Sequence, residues 1–149
     1  MTTTSPTRQW GIAWVLLVLA IALHVVDEAL TGFLPLYNSI VESLHEAHPW
    51  ILLPTFSFPV WLSGLAIGVL ALLSLSPLVF GGRAFLRPVS YVLGVFMAGN
   101  ALGHIGASMY WGILAPGALS SPILLLAALG LLIATVRDRR RTRDLPPPG

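Results

Sequence analysis

Four apolar stretches of about 20 residues each, separated by short polar segments, decide most of what this chain can fold into. A stretch of that length crosses a hydrocarbon core of roughly 30 Å only as a helix, because a helix pairs its own backbone N–H and C=O groups where no water can. The stretches cover residues 10–29, 59–80, 88–111 and 118–136. Ser57 lies near the cap of the second, and Pro59 suits its first turn. The sequence therefore predicts an all-α integral membrane protein, a four-transmembrane-helix bundle. Only 9% of the 149 residues are charged and 56% are hydrophobic, with a mean hydropathy of +0.84. Soluble domains carry about 25% charged residues, so this inventory cannot build a water-facing surface. One membrane domain is expected from so short a chain. The absence of cysteine excludes a disulfide framework, a thiolate metal site and a thiol nucleophile.

All eight basic residues are arginine, and their distribution predicts the topology. Arg8, the turn carrying Arg83 and Arg87, and the tail with Arg137, Arg139, Arg140, Arg141 and Arg143 fall on one side of a four-helix layout. The other side receives the 30–58 loop, with Glu42, Glu46, His45 and His48 but no arginine, and the uncharged turn at Pro116-Gly117. The positive-inside rule then places both termini in the cytoplasm. Residues 1–9 form a polar N-terminal segment, and 137–149 a basic, Pro-rich cytoplasmic tail whose last five residues are expected to be disordered. Arg8, the apolar run and Ala20-Ile21-Ala22 also mimic a cleavable signal peptide. Cleavage would leave three helices and remove the scaffold of His24; the length of the run and the polar cluster just beyond the cut favour retention. In the outer loop, residues 37–48 fit a short amphipathic helix with Ile40, Val41 and Leu44 toward the membrane. Trp10, Trp50, Trp61 and Trp111 fall near helix ends, where interfacial aromatics gather, whereas Trp14 lies one turn inside and is expected to pack.

Two polar clusters interrupt these apolar stretches: His24-Val25-Val26-Asp27-Glu28, and Asn100 with His104. An acid or base at a membrane-helix centre costs roughly 2.5 to 3.5 kcal/mol on insertion scales, so a chain that carries several has a use for them. Residues three and four apart share a helix face, which groups His24, Asp27 and Glu28 on one helix and Asn100 and His104 on another. At about 1.5 Å per residue, His24 lies about 20 Å and His104 about 24 Å from the cytoplasmic edge, both in the outer half of the bilayer. Two imidazoles, two carboxylates and a carboxamide are thus expected to meet in one pocket, with Gly99, Gly103, Gly106 and Ala107 permitting close helix approach. The bland alternatives are that Asp27 and Glu28 face headgroups, that each histidine packs with a hydrogen bond, and that Asn100 bonds across helices. Phe96, on the face of Asn100, would line a pocket or pack in the core.

The motif His24-Val25-Val26-Asp27-Glu28 resembles the signature of the HXXEE-motif family of small membrane proteins. His104 would be that pattern's further histidine, and Leu114-Ala115-Pro116-Gly117 resembles its Tyr-x-Pro-Gly element. Asp27 stands where a Glu is expected and Leu114 where a Tyr is expected, with Tyr110 one turn earlier as a substitute phenol. The resemblance implies a site at these residues and leaves its chemistry open.

The donor set suits two chemistries. His24, Glu28 and His104 are the expected ligands of one divalent metal, zinc or iron, since imidazole and carboxylate groups on facing bundle helices hold such ions. Without metal, the same groups with Asp27 and Asn100 form an acid–base site, a carboxyl protonating and an imidazole accepting a proton. Either way the expectation is a small membrane enzyme acting on an apolar or lipid-like molecule. The alternative is a non-enzymatic membrane protein, a ligand-binding, accessory or transport subunit with a structural polar cluster. A proton relay is disfavoured, because the cytoplasmic halves of the helices contain no ionisable residue. Membrane lipids are expected partners; the arginine tail reads more simply as a topology determinant than as a holder of anionic lipid. Too few basic residues, and none on a folded presenting element, speak against nucleic acid. The oligomeric state is left open.

Overall fold

The computed structural model describes residues 5–144, with the backbone alone for 142–144. The first four residues of the polar segment and the Pro-rich end expected to be disordered, 145–149, lie outside the described residues, as does the Arg143 side chain. Among the described residues there are six helical segments and no strand: α1 (Pro6–Thr31), α2 (Phe33–Ala47), α3 (Phe58–Ser74), α4 (Ser76–Phe80), α5 (Leu86–Trp111) and α6 (Ser121–Asp144). Four spans are long and apolar enough to cross a membrane: Pro6–Thr31, Phe58–Phe80, Leu86–Trp111 and Ser121–Arg141.

Local sequence sets these boundaries. Ser5 accepts the Arg8 N–H at 3.3 Å and Pro6 opens the first turn of α1. Gly32, at φ 83°, ends α1 by donating its N–H to the Glu28 carbonyl, and α2 follows at once. The second apolar stretch is expected unbroken but is divided at Leu75, because Pro77 has no N–H for the helix ladder. The fourth begins at Ser121, not 118, since the turn through Gly117 (φ 79°) ends only where Ser120 accepts the Leu124 N–H. It also runs beyond 136, through the arginines to Asp144.

Helix α1 is the centre of the bundle. It packs on α6, α3, α4 and α2, while α5 packs on α6. Trp10, Trp14, Leu17 and Val18 of α1 are buried against Val79, Leu86, Ala101, Leu124, Ala128 and Leu131. Trp10 is thus core rather than interfacial: its ring is fully buried and its Nε1 donates to Ser90 Oγ at 3.0 Å. Trp14 packs as expected and donates to the Leu72 carbonyl at 3.0 Å. The outward faces stay apolar, with Leu16, Leu30, Ile67, Val92, Met109 and Leu126 all exposed. Helix α2 is held down by Asn38, whose carboxamide pairs with both backbone groups of Phe56 (2.9 and 3.1 Å), and by Tyr37, which donates to the Pro54 carbonyl. It starts four residues earlier than expected, and Val41 is buried while Ile40 is exposed and Leu44 half-buried.

The two ends of the bundle carry different chemistry. At one, Asp138 accepts from Thr7 at 2.8 Å and pairs with Arg87 at 2.9 Å, joining the start of α1 to the end of α6 and the start of α5. At the other, the end of α1, the second half of α5 and the turn before α6 bring together His24, Asp27, Glu28 and His104.

Candidate metal centre

Helix periodicity puts His24, Asp27 and Glu28 on the buried face of α1, with Leu23 and Val26 turned outward. From α5, His104 projects to meet them, and the His24 and His104 ring centroids lie 4.9 Å apart at 73°. Glu28 stands between the imidazoles: its Oε1 is 3.4 Å from His24 Nε2 and 3.2 Å from His104 Nε2. One donor atom from each of His24, Glu28 and His104 falls within 4.8 Å of the other two, and all three residues are buried.

Asp27 does not join this group. Its Oδ2 accepts the backbone N–H of Ser120 at 2.8 Å and the Ser120 hydroxyl at 2.8 Å. The same hydroxyl lies 2.7 Å from His24 Nδ1. A hydroxyl has one proton, and a carboxylate is the stronger acceptor, so Ser120 donates to Asp27 and accepts from His24. His24 therefore carries its proton on Nδ1, and the bond at one ring nitrogen fixes the state of the other. In the neutral ring Nε2 presents a lone pair toward Glu28, and it is buried without a hydrogen-bond partner.

A bare lone pair facing a carboxylate is unfavourable unless a cation lies between them. That cation is a proton or a metal ion, and each has its own spacing. Charge-assisted hydrogen bonds from imidazolium to carboxylate run about 2.7–2.9 Å. Ligands about 2.0–2.2 Å from a shared tetrahedral ion stand roughly 3.4 Å from one another. The observed 3.2 Å lies within the ordinary N–H···O range and 3.4 Å suits ligands of a shared ion, so the distances accommodate a proton or a metal between the groups. All described arginine side chains belong to the opposite end, so no arginine pairs with Asp27 or Glu28.

The surroundings hold this geometry in place. Phe33 of α2 covers the His104 ring at 5.5 Å between centroids. Gly117 lies against both ligands: a Cβ there would be 3.0 Å from His104 Nδ1 and 3.1 Å from Glu28 Cγ, and its φ of 79° is unfavourable for a side chain. Its N–H donates to Thr31 Oγ1 at 3.0 Å, which in turn donates to the Asp27 carbonyl at 2.6 Å. The Pro116-Gly117 turn is thus fastened to α1 directly over the cluster.

Asn100, expected in the same pocket, stands outside the cluster and lines a neighbouring cavity with His104. Tyr110 is 87% exposed and cannot serve as the substitute phenol, and Leu114 is equally turned away. Phe96 neither packs in the core nor approaches the site; it borders a wholly apolar groove with Val89 and Val92. His45 and His48 belong to the end of α2 and its cap, outside the cluster. Ser120 is the residue that sequence reasoning missed. Its one signal is Ser120-Ser121-Pro122, which reads as a helix start and gives no hint that the hydroxyl is shared with His24 and Asp27.

Comparison with known proteins found no matching family model, no matching curated protein and no matching solved structure.

Proposed function

We propose that this chain is a small multi-pass membrane enzyme that holds one divalent ion, zinc or iron, on His24, Glu28 and His104 and acts on an apolar or lipid-like substrate. The observation that carries the reading is the buried, unpartnered Nε2 of His24, locked toward Glu28 by Ser120 at a spacing suited to a shared ion. Three protein ligands leave a coordination position for substrate, and a divalent ion there would polarise a substrate oxygen as a Lewis acid. The chain's own residues do the rest: Ser120 and Asp27 hold the His24 ring, and Gly117 and Phe33 confine His104. An apolar substrate is favoured because Leu23, Val26, Leu30 and Ile123 line the pocket at Asp27 and Ser120, and Leu36 and Ile40 the cavity at His104.

Within this reading the arginine-bearing end faces the cytoplasm and the site lies in the outer leaflet, by the positive-inside rule. The relationship to the HXXEE-motif family is proposed on His24, Glu28, His104 and Pro116-Gly117, the motif positions that surround the cluster.

The test is metal analysis of the detergent-purified protein beside His24→Ala and His104→Ala. The expected result is near-stoichiometric metal in the wild type and loss in both variants. A folded wild type that takes up no zinc or iron on reloading refutes the metal reading. The same residues would then be an acid–base site, or a structural cluster in a non-enzymatic protein if both variants also lose thermal stability.

A further inference from the structure

Helices α1 and α6 pack on one another and leave a furrow between their outward faces. Small residues line it: Ala13 and Ala20 from α1, Ala127, Gly130 and Ala134 from α6. Leu16, Leu19 and Leu23 rise along one side and Leu126 and Ile133 along the other, all of them exposed. A Cβ at Gly130 would meet nothing within 4 Å, so the furrow is open there. Its apolar lining runs from Ile12 to Leu23 on α1. That is eleven residues, or about 16 Å of helix rise, close to one leaflet of a hydrocarbon core of roughly 30 Å.

At the end of the bundle that holds the arginines, the lining turns polar, with Gln9 and Arg137. Arg141 lies one turn beyond Arg137 on the same face of α6, and Arg8 one turn before Ile12 on that of α1. Arg8, Arg137 and Arg141 are all exposed. Among the described side chains the carboxylate at this end is Asp138, which is buried and held by Arg87 and Thr7. The positive charge around the mouth of the furrow is thus not offset by a described carboxylate.

A guest that suits both parts of the furrow has an anionic head and an apolar tail. A second copy of this chain does not, because copies in one membrane share one orientation and would bring their arginines together, like charge against like. We propose that the α1–α6 furrow binds an anionic phospholipid, its phosphate accepting hydrogen bonds from Arg137 and Arg141 and an acyl chain lying against Leu16, Gly130 and Leu126. Guanidinium suits this task, since its planar fork donates paired N–H bonds to phosphate oxygens. Basic pockets between membrane helices hold such head groups in the same way. The site is at the opposite end of the bundle from His24, Glu28 and His104 and does not depend on a metal there.

The probes are dioleoylphosphatidylglycerol and dioleoylphosphatidylcholine, which share their acyl chains and differ in head-group charge. Each is titrated into the detergent-purified full chain, and bound lipid is counted by native mass spectrometry. The wild type should hold phosphatidylglycerol about tenfold more tightly than phosphatidylcholine. Arg137→Gln combined with Arg141→Gln should bring the two lipids level. Gly130→Leu, which fills the open furrow from an exposed position, should weaken phosphatidylglycerol about tenfold with every arginine in place. Glycerophosphate, an anionic head without chains, should not displace the lipid. Equal binding of the two lipids by the wild type overturns the proposal without depending on any variant. A preference that survives the two arginine substitutions overturns their role. Full affinity in Gly130→Leu means a charged surface with no furrow site and overturns the proposal as well. Displacement by glycerophosphate at the concentration of the lipid would assign the arginines to free phosphate and refute the lipid.

Discussion

Replacing Ser120 with alanine isolates the step on which the metal reading depends. The hydroxyl lies 2.7 Å from His24 Nδ1 and 2.8 Å from Asp27 Oδ2, and no other side chain bridges the two. Asp27 keeps the Ser120 backbone N–H at 2.8 Å after the substitution, so the carboxylate is not stranded. His24 Nδ1–H is stranded, and a buried donor without a partner costs about 1–3 kcal/mol. The ring can recover that cost only by turning or changing tautomer, and either move withdraws the Nε2 lone pair from the ion. Loss of such an outer-shell partner lowers metal affinity about 10- to 100-fold, or about 1.4 to 2.7 kcal/mol. The assay is zinc competition against a chromophoric chelator on the detergent-purified protein, with Ser121→Ala as control. Ser121 also opens α6, and its hydroxyl donates to the Gly117 carbonyl at 2.8 Å without touching His24 or Asp27. Wild-type affinity in Ser120→Ala, or an equal loss in Ser121→Ala, would refute the tautomer argument.

Gly117→Ala should lower zinc affinity by more than tenfold in the same assay. The new Cβ would press on His104 and Glu28 at 3.0 and 3.1 Å, in addition to about 1–2 kcal/mol for a left-handed backbone. Asp138→Asn should lower stability by roughly 3 kcal/mol, because it removes the charge of the buried carboxylate that pairs with Arg87 at 2.9 Å and accepts from Thr7 at 2.8 Å. Its zinc affinity should be unchanged, since Asp138 belongs to the opposite end of the bundle; thermal unfolding beside zinc titration checks both.

The coarse architecture is legible in the sequence because hydrocarbon leaves few options. The four apolar stretches appear as the four spans, and no side-chain detail is needed to find them. Departures come where a single residue alters the backbone: Pro77 divides the second span, and the Gly117 turn delays the start of α6. The meeting of His24, Glu28 and His104 is legible as well, because periodicity fixes the face and helix rise fixes the depth. The assignment of Trp10 to an interface misses because position in sequence says nothing of a partner eighty residues away. Ser90 supplies that partner and allows the indole to be buried.

The residues that hold the cluster in place are harder to read for the same reason. Asp27 and Glu28 are adjacent, both acidic and both buried, yet they have different tasks, and nothing in α1 distinguishes them. The difference comes from α6, where the backbone N–H and hydroxyl of Ser120 capture Asp27 and leave Glu28 as the carboxylate between the imidazoles. The shorter side chain at 27 and the longer one at 28 fit that division. The shorter side chain reaches a backbone N–H on the neighbouring turn, while the longer Glu28 spans to His104 on α5. A Glu at position 27 would have to fold back to make the same two bonds and would crowd the turn that Thr31 fastens. Asp27 and Ser120, joined by two bonds of 2.8 Å, are thus best understood as one unit.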